Sequence, residues 1–581
     1  MILVPQSKID NYTAMGWWGQ DTLWDCFIRN VQTRGTHEAV VDAANRSEFA
    51  HGLPQRMTWT QLNAAVDSFC CLLVDQQIRK DDILVSMLPN CVEQFVVYLS
   101  CARLGVVVTP VPVQYREHEL AQIVSITSAV AALTFSQIGK AGHAHAGADM
   151  FCKLRKTQPS LRTVMAWGDA IPAGVVDIAA HTSAPVGAAG REKLAQAEQE
   201  AAVTANDVFT ICWTSGTEAQ PKGVPRSHNE WLIVAPSIIE AALLPQHARL
   251  LNPFPFVNMA GLSTAFAAWL VLGGTVVQHH PFSLPVFLQQ LRDECIDYTV
   301  SPPAVLNMLL QNEVLLEGID FKRLARIGSG AAPLSQWMVE GFARKYGVQI
   351  VNYFGSNEGA ALSGSDVDIA DPALRAQYFP RAGVDGFSWS VSTTRKIKTR
   401  LVDAETGKDI TVAGQVGELR FSGPTVFSAY FRAPALSARA FDAQGFYKTG
   451  DLFEIAGDSL QYYRYVGRSK DLVIRGGMNI SSEEIEGLLA ACPGVREVAV
   501  VGVPDAILGE KLCACVASLE GYHVNLGTLT AYLRDVQCIA TYKLPEYFLH
   551  VDSLPRNPVG KILKRDLRAQ MQTRFAHLET Q

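Results

Sequence analysis

The stretch Thr214-Ser215-Gly216-Thr217-Glu218-Ala219-Gln220-Pro221-Lys222-Gly223 directly follows an apolar, strand-like segment at 208–213. Its hydroxyls, its conformationally free glycine and its lysine could wrap backbone N–H groups and one cation around phosphate oxygens. It is not a Walker loop, because the lysine precedes its glycine and no Ser or Thr follows in the required place. Taken alone, a turn of this composition is also typical of an ordinary surface loop.

Four further stretches decide between these two interpretations. They are Asn352-Tyr353-Phe354-Gly355-Ser356-Asn357-Glu358, Tyr447-Lys448-Thr449-Gly450-Asp451, Gly467-Arg468-Ser469-Lys470-Asp471 running on to Gly476-Gly477-Met478-Asn479-Ile480, and Asn557-Pro558-Val559-Gly560-Lys561. With the loop, they resemble in order and spacing the signatures of the adenylate-forming superfamily, which includes acyl-CoA synthetases, standalone adenylation domains and luciferases. The resemblance spans nearly the whole chain and implies ATP-dependent activation of a carboxylic acid as an acyl adenylate.

The resemblance also implies how the site neutralises the charge of a triphosphate. Ser215, Thr217 and Lys222 would bind the β and γ phosphates within a loop that includes Thr214 and Gly216, and Glu358 would hold Mg²⁺. An anion such as Glu218 would repel the triphosphate, so its side chain is expected to turn outward.

A second group of residues would hold the nucleoside and carry out the chemistry. Asp451 resembles the ribose ligand of the family, since one carboxylate can accept hydrogen bonds from both ribose hydroxyls, and Arg468 would support it. Lys561 would bridge the attacking carboxylate and the α-phosphate and stabilise the charge of the transition state. Lys561, Thr217 and Glu358 are the predicted catalytic residues.

The adenine and acyl pockets are predicted side by side. Phe354 stands where the family usually has a tyrosine beside the adenine, and Asn357 stands where a threonine is common and could reach an α-phosphate oxygen. The remaining predicted nucleotide contacts are Gly330, Ala331, Tyr353, Gly355 and Ser356. The predicted acyl pocket comprises Phe256, Asn258, Met259, Gly330, Gly355 and Ser356.

This pocket wall is mostly apolar and lacks the buried acidic partner that an amino acid would need. The sequence therefore favours an alicyclic, medium-chain or aromatic acid. The N-terminal half, in Gly16-Trp17-Trp18 and Val111-Pro112-Val113-Gln114-Tyr115-Arg116-Glu117, resembles ligases for cyclohexanecarboxylate and related acids.

By the same resemblance, Lys470 occupies the hinge position and the Gly476 and Gly477 loop lines the coenzyme A channel. The expected domains are an adenylation domain at 1–469 and a mobile lid domain at 470–581 that carries the catalytic lysine. The expected fold is α/β: a large N-terminal body of two helix-covered sheets plus a smaller sheet or barrel, and a small α+β C-terminal domain.

Local patterns agree with this fold. Helical and β-branched segments alternate in the first third, which is typical of helix-covered parallel sheets. The Gly-, Ala- and His-rich segment 139–206 is interpreted largely as a surface excursion with one helix near 191–201. The apolar segment 259–277 is interpreted as a buried helix and strand because Gly273 and Gly274 break it. In the C-terminal region, Ser481 followed by Glu484 predicts a helix start with a capping box.

Composition excludes several other classes of protein. Hydrophobic residues make up 48% and charged residues 18% of the 581 residues, and the net charge is −6, which fits a large packed enzyme without a surface for nucleic acid. Its start lacks a secretory signal pattern, so a cytoplasmic location is expected without a membrane span. The expected ligands are ATP, Mg²⁺, coenzyme A and a small carboxylic acid.

The sequence leaves several alternatives open. The chain could be an acid:CoA ligase or a standalone adenylating enzyme that loads a carrier protein. A non-catalytic nucleotide-binding protein on the same fold and an oxygenase of the luciferase type are remoter alternatives. A homodimer is also left open.

Overall fold

Four sheets organise the chain. The computed structural model describes residues 1–139, 145–214, 221–279, 281–468, 471–475, 478–505, 508–537, 539, 541–557 and 560–575. Within them no helix is long and apolar enough to cross a membrane.

The strands, in chain order, are β1 Glu38–Val41, β2 Arg56–Thr58, β3 Ile83–Met87, β4 Val107–Pro110, β5 Ala131–Phe135, β6 Thr163–Trp167, β7 Val176–Asp177, β8 Val208–Thr214, β9 Lys222–Ser227, β10 Arg249–Asn252, β11 Thr275–Gln278, β12 Tyr298–Val300, β13 Arg326–Gly330, β14 Gln349–Gly355, β15 Ala361–Gly364, β16 Tyr378–Pro380, β17 Lys398–Val402, β18 Val416–Ser422, β19 Tyr447–Ala456, β20 Tyr462–Arg468, β21 Leu472–Arg475, β22 Met478–Ser481, β23 Val495–Asp505, β24 Gly509–Ser518 and β25 Tyr547–His550.

The α-helices are α1 Gln6–Ala14, α2 Leu23–Arg34, α3 Trp59–Asp75, α4 Val92–Leu104, α5 Glu117–Thr127, α6 Gly147–Thr157, α7 Ile178–Thr182, α8 Ala188–Ala201, α9 His228–Leu232, α10 Ala235–Ala241, α11 Met259–Gly261, α12 Ala268–Leu272, α13 Leu284–Asp293, α14 Pro303–Gln311, α15 Gln336–Tyr346, α16 Pro372–Gln377, α17 Pro434–Ala440, α18 Ser482–Leu489, α19 Leu526–Ala531 and α20 Lys564–Phe575. Two π-helical segments, Leu262–Ala267 and Tyr532–Val536, continue α11 into α12 and extend α19.

Two large sheets are mainly parallel. Their strand orders are β15-β14-β13-β12-β10-β11-β1-β2 and β7-β6-β5-β3-β4-β8-β9. A five-stranded antiparallel sheet has the order β16-β20-β19-β18-β17, and the C-terminal region forms a fourth sheet from β21 to β25. This architecture confirms the predicted fold class.

The helices between the two large sheets bury the main core. Trp59 of α3 stacks on Trp269 of α12 with ring centroids 4.6 Å apart, and Phe95 of α4 meets Trp269 edge-on. The segment 259–277 is therefore a buried helix followed by strand β11, as the two glycines predicted.

Most described residues of segment 139–206 are exposed or half-buried, as predicted, but the segment also contributes a buried strand. Strand β6 pairs in parallel with β5, and Val164, Met165 and Ala166 are fully buried. The apolar run of β6 is short and is flanked by small and polar residues, so the sequence pattern did not indicate a strand. The helix predicted in this segment is present as α8.

The predicted helix start at Ser481 is confirmed, but only one of the two capping-box hydrogen bonds is present. Ser481 caps α18 by accepting a hydrogen bond from the Glu484 amide. The Glu484 carboxylate accepts from Lys543 at 2.7 and 2.8 Å, so this ion pair takes the place of the second half of the predicted capping box.

Candidate active site

Strands β8 and β9 bring the two described ends of the phosphate loop together. They pair antiparallel with Thr214 opposite Lys222, and the Lys222 ammonium lies 5.6 Å from the centroid of the Tyr430 ring. The loop residues Ser215, Gly216 and Thr217 lie outside the described residues, as does Glu218.

Tyr430 connects this lysine to the predicted magnesium carboxylate. Glu358 follows β14 and is 7% exposed, and its Oε1 accepts a hydrogen bond from the Tyr430 hydroxyl at 2.9 Å. Its backbone carbonyl accepts from the Phe427 amide at 2.9 Å. Sequence reasoning missed Tyr430, because no local pattern marks a tyrosine 72 residues away as a partner of Glu358.

The donor set around Glu358 fits a magnesium ion that is shared with a nucleotide. The described residues contain no group of three or more His, Cys, Asp or Glu side chains that could hold a metal by itself. Mg²⁺ is commonly bound by one or two protein carboxylates together with substrate phosphates. One buried carboxylate near Lys222 therefore suits a phosphate-bound Mg²⁺ better than a metal held by protein alone.

A buried arginine supports the segment that carries Glu358. Arg226 of β9 is 0% exposed. Its guanidinium donates to the carbonyls of Asn357 at 3.2 Å, Glu230 at 2.8 Å and Thr425 at 2.9 Å. Sequence reasoning missed this residue as well, although an arginine inside a buried strand four residues after Lys222 was an available signal.

Gly359 allows this close packing. Its φ is +91°, a left-handed conformation that favours glycine. A Cβ atom here would overlap the Thr425 carbonyl oxygen and lie 2.6 Å from Arg226 Nη1. The Glu358 segment is therefore fixed against two neighbouring segments.

The predicted ribose corner is assembled by the pairing of β19 with β20. Asp451 lies opposite Arg468, is 3% exposed and accepts from Arg468 Nε at 3.0 Å. Burial raises the pKa of Asp451, and the positive charges of Arg468 and Lys561 oppose this rise. The charge of Lys561 thus acts on Asp451, although the two residues are 110 positions apart in the sequence.

Tyr447 joins the ribose corner to the carboxylate of Glu358. Burial raises the pKa of Tyr447 well above its usual value, and the nearby charges of Glu358 and Asp451 add to the shift. The phenol therefore stays protonated beside two carboxylates. Tyr430 and Tyr447 thus connect Lys222, Glu358 and Asp451, and the charge of Lys561 acts on Asp451.

The loop that carries Lys561 is closed by its own backbone. Asn557 donates its amide to the Lys561 carbonyl at 2.8 Å, and Asn557 Oδ1 accepts from the Lys561 amide at 2.8 Å. These two bonds hold the described ends of the loop together.

A cavity of about 150 Å³ is lined in part by residues predicted to contact the nucleotide. Among its described lining residues are three of the six predicted pocket residues, Met259, Gly330 and Gly355, together with Ala331, Tyr353 and Phe354. Ala331 has a φ of +66°, a strained conformation for a residue with a side chain that is often found at ligand sites. The cavity therefore adjoins the predicted adenine and acyl positions.

The other three predicted pocket residues have different surroundings. Phe256 packs edge-on against Phe95 in the core, with ring centroids 5.3 Å apart. Asn258 caps α11 by accepting from the Ala260 amide at 3.1 Å. The Ser356 hydroxyl is buried with no hydrogen-bond partner among the described residues.

Asn357 is more constrained than the sequence indicated. Its Nδ2 donates to the Trp213 carbonyl at 3.1 Å, and its Oδ1 accepts from the Met259 amide at 2.7 Å. The amide thus ties the strand before the phosphate loop to the helix that begins at the cavity. A role at the α-phosphate would use its remaining N–H.

Phe354 belongs to an aromatic cluster on the other face of β14. Its ring stacks with Phe421 at 6.3 Å and meets Phe453 edge-on at 5.1 Å. The Phe354 ring is therefore held by aromatic contacts, which need no tyrosine hydroxyl.

The predicted hinge residue Lys470 and the predicted channel residues Gly476 and Gly477 lie outside the described residues. Beside the hinge, Asp471 accepts from Arg568 Nη2 at 2.8 Å, and its carbonyl accepts from the Ser482 hydroxyl at 2.9 Å. The chain that follows the hinge is therefore anchored to α18 and α20.

Comparison with known proteins identifies the family. Residues 27–431 match the model of the AMP-binding enzyme family, and residues 484–561 match the AMP-binding enzyme C-terminal domain. The chain belongs to the AMP-binding enzyme family, within the adenylate-forming superfamily, and is an enzyme. The predicted family is thereby confirmed.

Individual relatives cover nearly the whole chain. A 2-hydroxy-7-methoxy-5-methyl-1-naphthoate–CoA ligase of Streptomyces carzinostaticus is 30% identical over 97% of this chain and 96% of its own length. Enterobactin synthase component E of Escherichia coli K12 is 28% identical over 98% of both chains. The crystal structure of ATP-bound MatB from Rhodopseudomonas palustris superposes with a TM-score of 0.75 at 24% identity, covering 94% of this chain and 99% of MatB. This last likeness supports the fold alone.

Proposed function

We propose that the protein is an ATP-dependent carboxylic acid:CoA ligase. It joins a carboxylate to ATP to give an acyl adenylate and pyrophosphate, and coenzyme A then displaces AMP to give the thioester. The observation that carries the proposal is the buried Asp451–Arg468 ion pair, on which the charge of Lys561 also acts. The described residues that line the cavity include no charged side chain.

The first half-reaction brings two anions together, so the site must neutralise charge and hold the reactants in line. In the proposal, Lys222 and the loop residues Ser215 and Thr217 bind the phosphates. Glu358 holds Mg²⁺, which supplies charge neutralisation at the phosphate oxygens.

Asp451 fixes the ribose, and Lys561 supplies the cation at the α-phosphate. Because Lys561 is attracted to Asp451 in this structure, a nucleotide held by Asp451 would place its phosphate within the reach of this flexible side chain. The arrangement therefore suits the adenylation step.

For the second half-reaction, we propose that the unit 470–581 turns about Lys470 relative to 1–469. Gly476 and Gly477 would then line the channel for the pantetheine arm, where side chains would obstruct it. Homodimer formation and a cytoplasmic location remain part of the proposal.

The cavity supports a substrate that is neutral apart from its carboxylate. Its described lining residues include no Asp, Glu, Lys, Arg or His, so an ammonium group or a second carboxylate would be buried without a counter-ion. An alicyclic, medium-chain or aromatic monocarboxylic acid fits this wall. The naphthoate-specific name of one relative supports an aromatic acid.

Transfer to a carrier protein is the second candidate function, and the resemblance to enterobactin synthase component E favours it. The deciding experiment offers an activated acid either free coenzyme A or a phosphopantetheinylated carrier protein, followed by mass spectrometry of the products. A thioester with free coenzyme A is expected. Acylation of the carrier without any acyl-CoA would overturn the proposed acceptor.

A further inference from the structure

A pair of phenols with incomplete hydrogen bonding lies at the wall of the cavity. Tyr298 of β12 donates its hydroxyl hydrogen to the Tyr353 oxygen at 3.0 Å. Tyr298 is 1% exposed, whereas Tyr353 lines the cavity.

Strand register explains why both tyrosines lie on the cavity face. Val300 pairs with Gly328, and Gly330 pairs with Tyr353 in the next strand. On this face of the sheet, side chains of β12 and β14 approach each other above the glycines of β13. A Cβ at Gly328 would lie 2.7 Å from the Tyr353 ring and would also overlap the Tyr298 hydroxyl. The glycine creates the space in which the two phenols meet.

The two phenols share two hydrogens, and the bond between them uses one. No acceptor for the other is present among the described residues. Exchanging donor and acceptor within the pair would not change this count, because one O–H would still lack a partner. Water in the cavity can accept this second hydrogen, and a ligand that displaces the water without supplying an acceptor would leave a donor unpaired at a cost in free energy.

Both groups remain protonated at neutral pH. Burial raises the pKa of Tyr298 well above its usual value, and burial also raises the pKa of Tyr353. The pair therefore acts as a neutral donor, which binds an uncharged acceptor without burying a new charge.

We propose that the Tyr298–Tyr353 pair is a specificity determinant that selects acids bearing a neutral hydrogen-bond acceptor, such as an ether or ketone oxygen, on the body of the acyl group. This inference rests on the proposed function and deepens it. It narrows the substrate class from any apolar monocarboxylic acid to an acid with one acceptor oxygen that faces Tyr353. The described lining of the cavity also includes apolar side chains such as Met259 and Val300 and hydroxyl side chains such as Ser263 and Thr264.

The test uses pairs of acids of equal shape that differ in one acceptor atom. The 2-, 3- and 4-methoxybenzoates are compared with the corresponding ethylbenzoates, and 4-oxocyclohexanecarboxylate is compared with 4-methylenecyclohexanecarboxylate. For each pair, kcat/KM in ATP–pyrophosphate exchange gives the preference of the enzyme for the acceptor. Because the preference is a ratio, changes in ATP binding cancel from it.

In at least one pair, we expect wild-type enzyme to prefer the acceptor-bearing acid. Tyr353→Phe should lower that preference about three- to tenfold, the value of one neutral hydrogen bond. Tyr298→Phe is the matched control variant. It removes the other hydroxyl of the pair but leaves the Tyr353 hydroxyl at the cavity, so most of the preference for the acceptor-bearing acid should persist. Circular dichroism and melting temperature verify that both variants fold.

Equal use of the two acids in every pair by wild-type enzyme, or an unchanged preference in Tyr353→Phe, would overturn the inference. Calorimetric titration of the same acids measures the preference without turnover. If exchange is absent with every acid but calorimetry shows the preference and its loss in Tyr353→Phe, the proposed function fails while the specificity assignment stands.

Discussion

Replacing Arg226 by lysine should weaken the use of Mg²⁺ without unfolding the enzyme. Lysine retains the positive charge next to buried Glu230 and Glu358, which both attract the arginine. It concentrates that charge on one nitrogen, whereas arginine reaches the Asn357 carbonyl with Nη1 and the Thr425 carbonyl with Nη2.

The magnitude follows from the hydrogen bonds that are lost. One ammonium cannot occupy both guanidinium positions, so at least one of the two bonds that hold the Glu358 segment should break. A hydrogen bond that involves a charged group contributes about 1.5–3 kcal/mol. If this loss of free energy appears as a weaker hold on the position of Glu358, the Mg²⁺ concentration for half-maximal activity should rise about 10- to 100-fold.

The assay is the rate of ATP–pyrophosphate exchange as Mg²⁺ is titrated at fixed ATP. The control is Arg375→Lys, because Arg375 is equally buried and also donates to backbone carbonyls, those of Ile350 and Ile369. The control should lose stability but keep the wild-type Mg²⁺ dependence. Equal shifts in both variants, or a loss of stability alone in Arg226→Lys, would refute a positioning role for Arg226.

Three further predictions concern two residues of the site and one carboxylate of α18. Lys561→Ala should lower the rate of adenylation about 100-fold or more, the effect of losing one transition-state donor. Thioester formation from preformed adenylate should be better preserved. Equal losses in quenched-flow assays of both steps would contradict this role. Gly359→Ala should lower the melting temperature and impair exchange, since its Cβ would overlap the Thr425 carbonyl oxygen, and a melting temperature equal to wild type would show that the segment is not held there. Burial raises the pKa of Glu486 from 4.5 to about 7, so between these pH values the folded state binds a proton that the unfolded state has lost. The free energy of unfolding should therefore fall by at most about 3 kcal/mol as pH rises from 5 to 8. Glu486→Gln should flatten this pH dependence in thermal melts, and an unchanged slope would exclude Glu486 as its source.

The motifs located much of the site because each is a short contiguous stretch. Glu358, Asp451 and Lys561 could be predicted in this way, and the charges of Glu358 and Asp451 both act on Tyr447 while that of Lys561 acts on Asp451. The supporting residues could not be found, because their contacts join distant segments: the Tyr298–Tyr353 bond spans 55 positions and the Tyr430–Glu358 bond spans 72.

The pocket wall shows a different limit of sequence reasoning. Phe256 and Asn258 stand at positions where pocket residues were expected, but one side chain fills the core and the other caps a helix. Alternation along a strand or helix says which residues share a face, and only tertiary packing decides whether that face meets a cavity or a neighbouring helix. In the same way, the buried strand β6 was hidden within a segment of otherwise small and polar residues.

The central claim is that the enzyme activates a carboxylic acid by forming an acyl adenylate. Its most direct test is the incorporation of labelled pyrophosphate into ATP over a panel of neutral monocarboxylic acids, with the wild type and Lys561→Ala side by side. Exchange should depend on the acid and on Mg²⁺ and should be nearly lost in Lys561→Ala. Acid-dependent release of ADP and phosphate without exchange, or exchange that is equal in the two proteins, would contradict it.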